Sequence, residues 1–396
     1  MELRELVNDH PAHIVLLVID GLGGYADGER DSELESARTP NLDQLASESS
    51  CGLALPAGPG ITVGSGPGHL ALFGYDPLEY DLGRGLLSAI GLGVELQAGD
   101  VAARGNLAFL DEEGRVSDRR AGRIDDDRAR AIVEHLQADV TLDDVDVTFR
   151  HVSEHRVLLV LRGDGLDPRV QDLDPQHVGV PPREPTATAP EAERTAELLR
   201  QLDAAIRDSL VQQDADVVLF RGFDTLHELP SMQDRFGVRP ATVANYPMYR
   251  GVARLVGMDV LPVVASLAEQ IELMSAHWDD YDYLFAHEKA ADRAGHDGDR
   301  EAKVAAIEAV DEVIPDLVEL APDVLAITGD HSAPTQLQAH SWHPVPTLVW
   351  GEKVGRDDVR SFGERACATG ILGHLRTQDL MPLLLASAGR LEKYGA

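Results

Sequence analysis

The 396-residue sequence is poor in lysine, in cysteine and in long apolar runs. It contains four lysines, and lysine and arginine together number 35 against 68 aspartates and glutamates, so the formal net charge is −33. Because binding to a phosphate backbone needs compensating cations, this balance argues against a nucleic-acid partner. The acidic residues are spread along the chain, and arginine replaces lysine almost everywhere. This pattern predicts a solvated, salt-adapted surface of halophilic type, and an acidic bias unrelated to habitat is the alternative.

The scarcity of cysteine and of long apolar segments bears on the compartment. Cys51 and Cys367 show no local pairing pattern and fit a reducing cytoplasm, in which a disulfide between them is not needed. No apolar run approaches the roughly 18 residues that cross a bilayer. The first ten residues, MELRELVNDH, lack the apolar core of a signal peptide. We therefore expect a cytoplasmic protein without a membrane partner, and the sequence leaves its oligomeric state open.

Short apolar runs that end in polar residues or glycine predict an α/β protein. Residues 13–19 form a continuous apolar run, which is typical of a parallel strand buried on both faces. The same form recurs at residues 214–222, 280–288, 323–331 and 346–351. Residues 302–319 have apolar side chains at helical spacing, and Thr39 before Pro40 indicates the N-cap of another helix. Strands that alternate with helices predict a doubly wound, mostly parallel sheet.

The chain length and a change of pattern in its middle predict two domains. At 396 residues the chain exceeds one ordinary core, and its hydrophobic content of 43% is that of a globular protein. Residues 93–213 contain β-branched runs and a proline-rich loop at 177–193, followed by a helix. We predict that residues 1–92 and 214–396 form the core domain, and that 93–213 form an inserted, smaller α+β domain that binds substrate as a lid.

Carboxylate and imidazole side chains end several of the predicted strands. Asp20 follows the first run, His287 lies near the end of 280–288, and Asp330 with His331 ends 323–331. Ligands of open parallel sheets collect at the carboxyl ends of the strands, so these residues are candidates for one site. Asp20 taken alone fits a structural Asp-Gly turn equally well.

Two further stretches add metal-ligating residue types. Asp292 and His296 are four residues apart, a spacing that points both side chains toward one centre on a helix. His340 and His343 follow in AHSWHPVP. Mixed carboxylate and imidazole donors suit Mn²⁺, Zn²⁺ or iron better than Ca²⁺, and six such groups are enough for two metal ions. The candidate ligands are Asp20, Asp292, His296, Asp330, His331 and His340.

The glycine- and proline-rich stretch GPGITVGSGPGHLALFGYDP, residues 58–77, contains one serine. It fits a flexible linker, and it also fits a loop that presents Ser65 to a phosphate at the start of a helix. Two metal ions stabilise the attacking and leaving oxygens of a phosphoryl transfer, and a metal lowers the pKa of a serine hydroxyl. Ser65 is therefore the candidate nucleophile.

The order of these motifs carries a resemblance to a known family. IDGLGG, TPNLD, GSGPGHLALFGYDP, DRAGHDG and TGDHS with AHSWHPVP follow one another as in the alkaline-phosphatase superfamily. ANYPMYRGVARLVGMDV and HEKAADRAGHDGD resemble more closely the archaeal-type branch of the 2,3-bisphosphoglycerate-independent phosphoglycerate mutases. The resemblance runs from about residue 13 to 385. It implies a glycolytic isomerase that interconverts 3-phosphoglycerate and 2-phosphoglycerate. Another metal-dependent phosphatase or phosphomutase of the superfamily is the alternative.

The resemblance implies a role for each motif residue. Ser65 forms a phosphoserine intermediate, and no 2,3-bisphosphoglycerate is required. Two divalent metal ions are implied, with Mn²⁺ expected and Mg²⁺, Zn²⁺ or Co²⁺ as alternatives. His340 matches the family's ligand better than His343, which reads as a loop histidine. The implied ligands of one ion are Asp20, Ser65, Asp330 and His331, and those of the other are Asp292, His296 and His340.

The small-molecule substrate is expected to be held by cationic side chains, because arginine forks bind carboxylate and phosphate in a bidentate manner. For each arginine, ordinary pairing with the many acids is an equal alternative. The sequence departs from the branch at Gly66-Pro67-Gly68, where an acidic residue is usual after the serine, and at Arg250, where lysine is usual. The substrate-binding candidates are Arg104, Arg119, Arg123, His155, Arg156, Arg162, Arg250, His287 and Lys289.

Overall fold

The computed structural model describes residues 3–80, 82–227 and 229–395. They form two compact units: a discontinuous unit from the described residues up to 80 and from 229 onward, and an inserted unit from 82 to 227. The strands are β1 Ile14–Ile19, β2 Ser50–Leu55, β3 Val101–Leu110, β4 Val116–Asp118, β5 Asp146–Ser153, β6 Arg156–Arg162, β7 Val217–Asp224, β8 Pro240–Thr242, β9 Asp259–Val260, β10 Tyr283–Glu288, β11 Val324–Thr328, β12 Val345–Trp350 and β13 Gly373–Arg376. The α-helices are α1 Glu33–Ser36, α2 Pro40–Ala46, α3 Ser65–Leu72, α4 Arg84–Gly91, α5 Asp126–Asp139, α6 Glu193–Ser209, α7 Met232–Phe236, α8 Pro247–Leu255, α9 Leu267–Ala276, α10 Ala290–Asp297, α11 Arg300–Glu319, α12 Glu364–Cys367 and α13 Leu380–Ser387.

The discontinuous unit is built on an eight-stranded sheet with the order β13-β2-β12-β11-β1-β10-β8-β9. All six residues of β1 are buried, as its unbroken apolar sequence predicts for a strand covered on both faces. Strands β11, β1 and β10 are parallel neighbours, so their carboxyl ends meet at one edge. The α/β class with a large, mostly parallel sheet is confirmed.

Two of the apolar runs do not have the predicted place or direction. The run at 346–351 forms β12, which is antiparallel to both β11 and β2. The run at 214–222 contributes to β7, which pairs antiparallel with β3 in the inserted unit and not with the large sheet. A short apolar run indicates burial on both faces, but it does not encode the strand's neighbour or its direction.

The inserted unit contains a five-stranded antiparallel sheet with the order β4-β3-β6-β5, and β7 also pairs with β3. Helices α5 and α6 cover one face, where Ile132, Leu136, Leu199 and Leu202 join the buried core. Its boundaries are wider than the predicted 93–213 because α4 and β7 both pack on β3.

Most of the predicted helices are present. Helix α2 begins at Pro40 with Thr39 as N-cap, although the Thr39 side chain makes no capping hydrogen bond. Helix α11 spans the predicted 302–319 segment with two additional residues at its start. Cys51 and Cys367 are both buried free thiols. Among the described residues, no helix combines the length and apolar character needed to cross a bilayer.

Candidate metal centre

The candidate ligands meet where the strands of the discontinuous unit end. Asp20 follows β1, and Asp330 and His331 follow β11, the neighbouring strand. Asp292 and His296 lie on α10, the helix that follows β10 on the other side of β1. The predicted convergence of these residues at one sheet edge therefore has a direct cause in the parallel order β11-β1-β10.

One group of donors surrounds the imidazole of His331. Its Nε2 lies 3.1 Å from the Oγ of Ser65, 3.2 Å from Oδ2 of Asp330 and 3.4 Å from Oδ1 of Asp20. All four side chains are buried. The structure thus brings together the four residues that the resemblance assigns to one ion.

A second group surrounds Oδ1 of Asp292. This oxygen lies 3.5 Å from Nε2 of His340 and 3.6 Å from Nε2 of His296. It also lies 3.8 Å from Nε2 of His331, so Asp292 belongs to both groups. His340 Nδ1 is 2.8 Å from the carbonyl oxygen of Val63, and this contact fixes the ring with Nε2 toward Asp292. Asp292 is therefore a candidate ligand shared by the two groups.

Buried oxygen atoms in both groups lack hydrogen-bond donors. Within the described residues, Oδ1 of Asp20, Oδ1 of Asp292 and Oδ2 of Asp330 are buried without a hydrogen-bond partner. Buried carboxylate oxygens are costly unless they are paired or coordinate a cation. Three such oxygens beside three imidazoles are a donor set that fits divalent transition metals.

The electrostatics of the carboxylates differ from one to the next. Burial, together with the nearby charge of Asp20, raises the pKa of Asp330 to about 6. Burial also acts on Asp20, but His287 and Lys289 hold the pKa of Asp20 well below its usual range. Against its own burial, Asp292 has a pKa of about 2, because His340 and Lys289 stabilise its charge. A divalent cation would offset the charge that burial disfavours at Asp330.

Ser65 is the first residue of α3, which places its hydroxyl at the positive end of the helix dipole. The departure Gly66-Pro67-Gly68 lies in the first turn, where proline removes no needed helical hydrogen bond. A Cβ at Gly68 would lie 2.5 Å from the carbonyl oxygen of Asp330, so the helix reaches the ligand loop only with glycine there. The glycine-rich stretch therefore leads into the first turn of a helix and is not a linker.

Two side chains that the sequence reading did not single out also belong to the site. The buried hydroxyl of Tyr249 donates to Oδ2 of Asp20, and its ring stacks on His69 with centroids 4.1 Å apart. His69 Nδ1 lies 2.8 Å from the carbonyl oxygen of Ser65. Tyr249 lies within ANYPMYRGVARLVGMDV, and His69 lies four residues after Ser65, so both belong to motifs that carry the family resemblance. The motifs alone do not indicate a role for either side chain.

The three substrate-binding candidates of this unit have different surroundings. Lys289 Nζ lies 2.6 Å from Oδ2 of Asp292 and 2.9 Å from Oδ2 of Asp20. His287 Nε2 lies 3.1 Å from the same Asp20 oxygen. Arg250, in contrast, donates through Nη1 to the carbonyl oxygens of Ala244 and Leu261, at 2.9 and 2.8 Å. His287 and Lys289 are thus at the candidate metal centre, whereas Arg250 donates to backbone carbonyls.

In the inserted unit, two arginines lie side by side on the sheet. Arg104 on β3 pairs across strands with Arg221 on β7, and the Nε of each is buried without a hydrogen-bond partner among the described residues. Burial lowers the pKa of Arg104 to about 9, with Arg84 and Arg221 contributing. Unpartnered buried guanidinium nitrogens of this kind mark a candidate anion site. Arg84 and Arg221 were not predicted from the sequence.

The other cationic candidates of the inserted unit are mostly paired. Arg119 makes a bidentate pair with Asp174, at 3.0 and 2.6 Å. Arg162 makes the same kind of pair with Asp100. Arg156 donates to Ser153 and Glu154. For these three the ordinary alternative of ion pairing is what the structure contains.

The last two substrate-binding candidates of the inserted unit are His155 and Arg123. His155 is buried, and burial together with Arg156 lowers its pKa to about 4. Arg123 is exposed. Neither makes a contact that identifies a substrate role.

His340 and His343 offer a matched comparison of a candidate ligand with a loop histidine. His343 stacks between Tyr25 and Trp342, with centroids 4.5 and 4.4 Å apart, and points Nδ1 at Ser341. We expect His340→Asn to lower Mn²⁺ stoichiometry and to reduce turnover by more than the roughly 10- to 100-fold typical of an outer-shell change. His343→Asn should leave both near wild type. The measurements are the metal content after gel filtration and the initial rate of phosphoglycerate conversion. Equal losses of metal and rate in the two variants would contradict the assignment of His340 as a ligand and His343 as a loop histidine.

Comparison with known proteins identifies the same family as the order of the sequence motifs. Residues 46–215 match the family model described as 2,3-bisphosphoglycerate-independent phosphoglycerate mutase. Proteins named probable 2,3-bisphosphoglycerate-independent phosphoglycerate mutase are 48% identical in Thermus thermophilus and 45% identical in Deinococcus radiodurans, each over 100% of this chain and 98% of the relative.

Solved structures are similar over almost the whole chain. A Pyrococcus horikoshii protein superposes with a TM-score of 0.82 at 28% identity, covering 98% of this chain and 100% of the other. The cofactor-independent phosphoglycerate mutase of Thermoplasma acidophilum gives a TM-score of 0.73 at 27% identity, covering 96% and 100%. Because full-length relatives at 48% identity carry the name that the motif order indicates, the chain belongs to the family of 2,3-bisphosphoglycerate-independent phosphoglycerate mutases.

Proposed function

We propose that this protein interconverts 3-phosphoglycerate and 2-phosphoglycerate through a phosphoserine at Ser65, without 2,3-bisphosphoglycerate. The observation that carries the proposal is the position of the Ser65 hydroxyl, 3.1 Å from His331 within a buried set of unpartnered carboxylate oxygens. Family membership supports the same reaction. The two free, buried thiols support a reducing cytoplasm as its location.

The reaction needs two displacements at phosphorus. In the first, the Ser65 oxygen attacks, and the bond from phosphorus to the O3 oxygen of 3-phosphoglycerate breaks, leaving glycerate. In the second, the O2 hydroxyl of glycerate attacks the phosphoserine, and the bond to the Ser65 oxygen breaks. Water must be excluded between the two steps, because hydrolysis of the phosphoserine would make the protein a phosphatase.

The residues of the discontinuous unit have proposed roles in these steps. Asp20, Asp330 and His331 would hold one divalent cation with Ser65, and Asp292, His296 and His340 the other. Bound divalent cations would lower the pKa of the serine hydroxyl and neutralise charge on the phosphoryl group, and we expect Mn²⁺ in this role. The N-terminus of α3 favours negative charge at Ser65. The Lys289 ammonium, between Asp20 and Asp292, offers a further donor to a phosphoryl oxygen.

The inserted unit has a proposed task of its own. Arg104 and Arg221 present buried, unpartnered Nε groups, and Arg84 lies close enough to perturb the pKa of both. We assign these arginines to an anionic group of the substrate, because the guanidinium fork matches a carboxylate or a phosphate. Of the arginines predicted from the sequence, this set keeps Arg104 alone. Arg84 and Arg221 are additions from the structure, and Nη1 of Arg221 also lies 3.8 Å from Oδ2 of Asp174.

An enolase-coupled assay tests the proposed reaction. With 3-phosphoglycerate and Mn²⁺, we expect 2-phosphoglycerate to form at the same rate with and without added 2,3-bisphosphoglycerate. EDTA treatment should abolish turnover, and Mn²⁺ should restore it, because the proposed nucleophile depends on a bound cation.

A parallel measurement of inorganic phosphate separates a mutase from a phosphatase. Free phosphate should stay a small fraction of the 2-phosphoglycerate formed. Phosphate as the main product, or full turnover in the EDTA-treated protein, would overturn the proposal.

A further inference from the structure

Lys303 is one of the four lysines of the chain, and its side chain is fully buried on α11. Its Nζ donates to the carbonyl oxygen of Ala333 at 2.9 Å and to that of Gly23 at 3.2 Å. The ammonium is 3.9 Å from Oε2 of Glu33, whose side chain is also fully buried. A buried charge lowers the stability of the fold unless it is paired and hydrogen-bonded, and Lys303 meets both conditions.

The two carbonyls to which Lys303 donates belong to the two loops that carry Asp20, Asp330 and His331. Gly23 lies three residues after Asp20, and Ala333 lies two residues after His331. The loops also touch directly, because the backbone N–H of Ala333 donates to the carbonyl oxygen of Gly23 at 3.1 Å. The ammonium therefore binds both loops at the place where they meet.

The helix that carries the second group of ligands rests on the same place. A Cβ at Gly295 of α10 would lie 2.3 Å from the carbonyl oxygen of Ala333, so only glycine allows this approach. Asp292 and His296 lie three residues before and one residue after that glycine. Three ligand-bearing segments thus converge on Ala333, and Lys303 donates to its carbonyl oxygen.

Glu33 completes the arrangement from α1. Its Oε1 accepts hydrogen bonds from the backbone N–H of Thr335, at 2.9 Å, and from the Thr335 hydroxyl. Glu33 therefore ties down the same loop two residues further on, and it supplies the opposite charge for Lys303. None of these contacts involves an atom that reacts.

We propose that Lys303, with Glu33, is a positioning residue that sets the spacing of the metal ligands and so the affinity of the metal centre. The proposal rests on the metal binding put forward above. In addition, we assign control of the metal affinity to a buried ion pair that is not itself a metal ligand. Outer-shell contacts of this kind orient the ligands that touch a metal.

The decisive variant is the double substitution Lys303→Met with Glu33→Gln. In Lys303→Met alone, Glu33 stays charged and buried with Arg300, whose Nη1 lies 3.8 Å from its Oε1, whereas the double variant removes both charges of the pair and leaves the partly exposed Arg300. The double variant should therefore melt closer to wild type than Lys303→Met alone. The substituted amide keeps an acceptor oxygen for Thr335. We expect Mn²⁺ affinity, measured against a chromophoric chelator, to fall by about 10- to 100-fold in the double variant. The visible spectrum of bound Co²⁺ should change, because ligand geometry changes.

Lys353→Met is the matched control, because Lys353 is exposed on the same unit. It should bind Mn²⁺ as wild type does. A double variant that folds and binds Mn²⁺ with wild-type affinity and an unchanged Co²⁺ spectrum would overturn the positioning role while leaving the mutase proposal intact. Wild-type protein that binds no Mn²⁺ or Co²⁺ would overturn both.

Discussion

Ser65→Ala is expected to reduce mutase turnover by at least about 10⁴-fold, the scale seen when a catalytic nucleophile is removed. The substitution takes away one oxygen, whose hydrogen-bond partner is His331 at 3.1 Å. The carboxylates and imidazoles of both donor groups remain, so the variant should still bind Mn²⁺. The measurement is the enolase-coupled rate together with phosphopeptide mass spectrometry after an acid quench with 3-phosphoglycerate, which should find phosphate on Ser65 of the wild type only.

Ser47→Ala is the control for this variant. Ser47 lies at the end of α2 on the same unit, and its hydroxyl donates to the carbonyl oxygen of Gln44. It should keep wild-type turnover and the Ser65 phosphopeptide. A Ser65→Ala protein that binds Mn²⁺ and retains more than about one hundredth of wild-type turnover would exclude the phosphoserine route.

The sequence predicts which candidate ligands lie together better than it predicts the sheet around them. Asp20, Asp330 and His331 could be placed together because each ends an apolar run, and parallel strands bring their carboxyl ends to one edge. The spacing of Asp292 and His296 needs only a helix, which α10 supplies. The end of an apolar run and the spacing of two residues on a helix are local properties, so they can be read directly from the sequence.

What the sequence could not supply depends on contacts between distant segments. The run at 214–222 has the composition of a buried strand, but its partner is β3, more than a hundred residues away. Asp292 was assigned to one ion, and its place in both donor groups follows from three-dimensional distances alone. The pairing of Arg162 with Asp100 likewise depends on tertiary neighbours that no spacing rule identifies.

Lys303 shows the same limit from another side. In the sequence it is one polar position on an amphipathic helix, where lysine is usually solvated. Only the fold reveals that the side chain points inward, to the carbonyls of Gly23 and Ala333. The scarcity of lysine was visible from the start, but not the burial of this one.

Asp292→Asn is expected to have the second large effect, because Oδ1 of Asp292 lies in both donor groups. The side chain keeps its size and loses its charge, so both ions should bind far more weakly. A bound metal contributes several kcal/mol to charge stabilisation in the transition state, and each factor of ten is about 1.4 kcal/mol. Turnover should therefore fall by about 10³-fold or more. In the wild type Mn²⁺ should raise the melting temperature by mass action, and in the variant this increase should disappear.

Asp297→Asn makes the same chemical change five residues later on the same helix, at an exposed position. It should keep two Mn²⁺ per chain, the full Mn²⁺-induced rise in melting temperature and wild-type turnover. His340→Asn should lie between the two, because His340 belongs to the second donor group, whereas Asp292 belongs to both. If Asp292→Asn loses one ion and keeps the other at wild-type affinity, Asp292 binds a single metal, and the shared-ligand geometry is wrong. If it loses both while Asp297→Asn loses neither, one carboxylate couples the two sites, and a substitution at Asp292 does not remove one ion without the other.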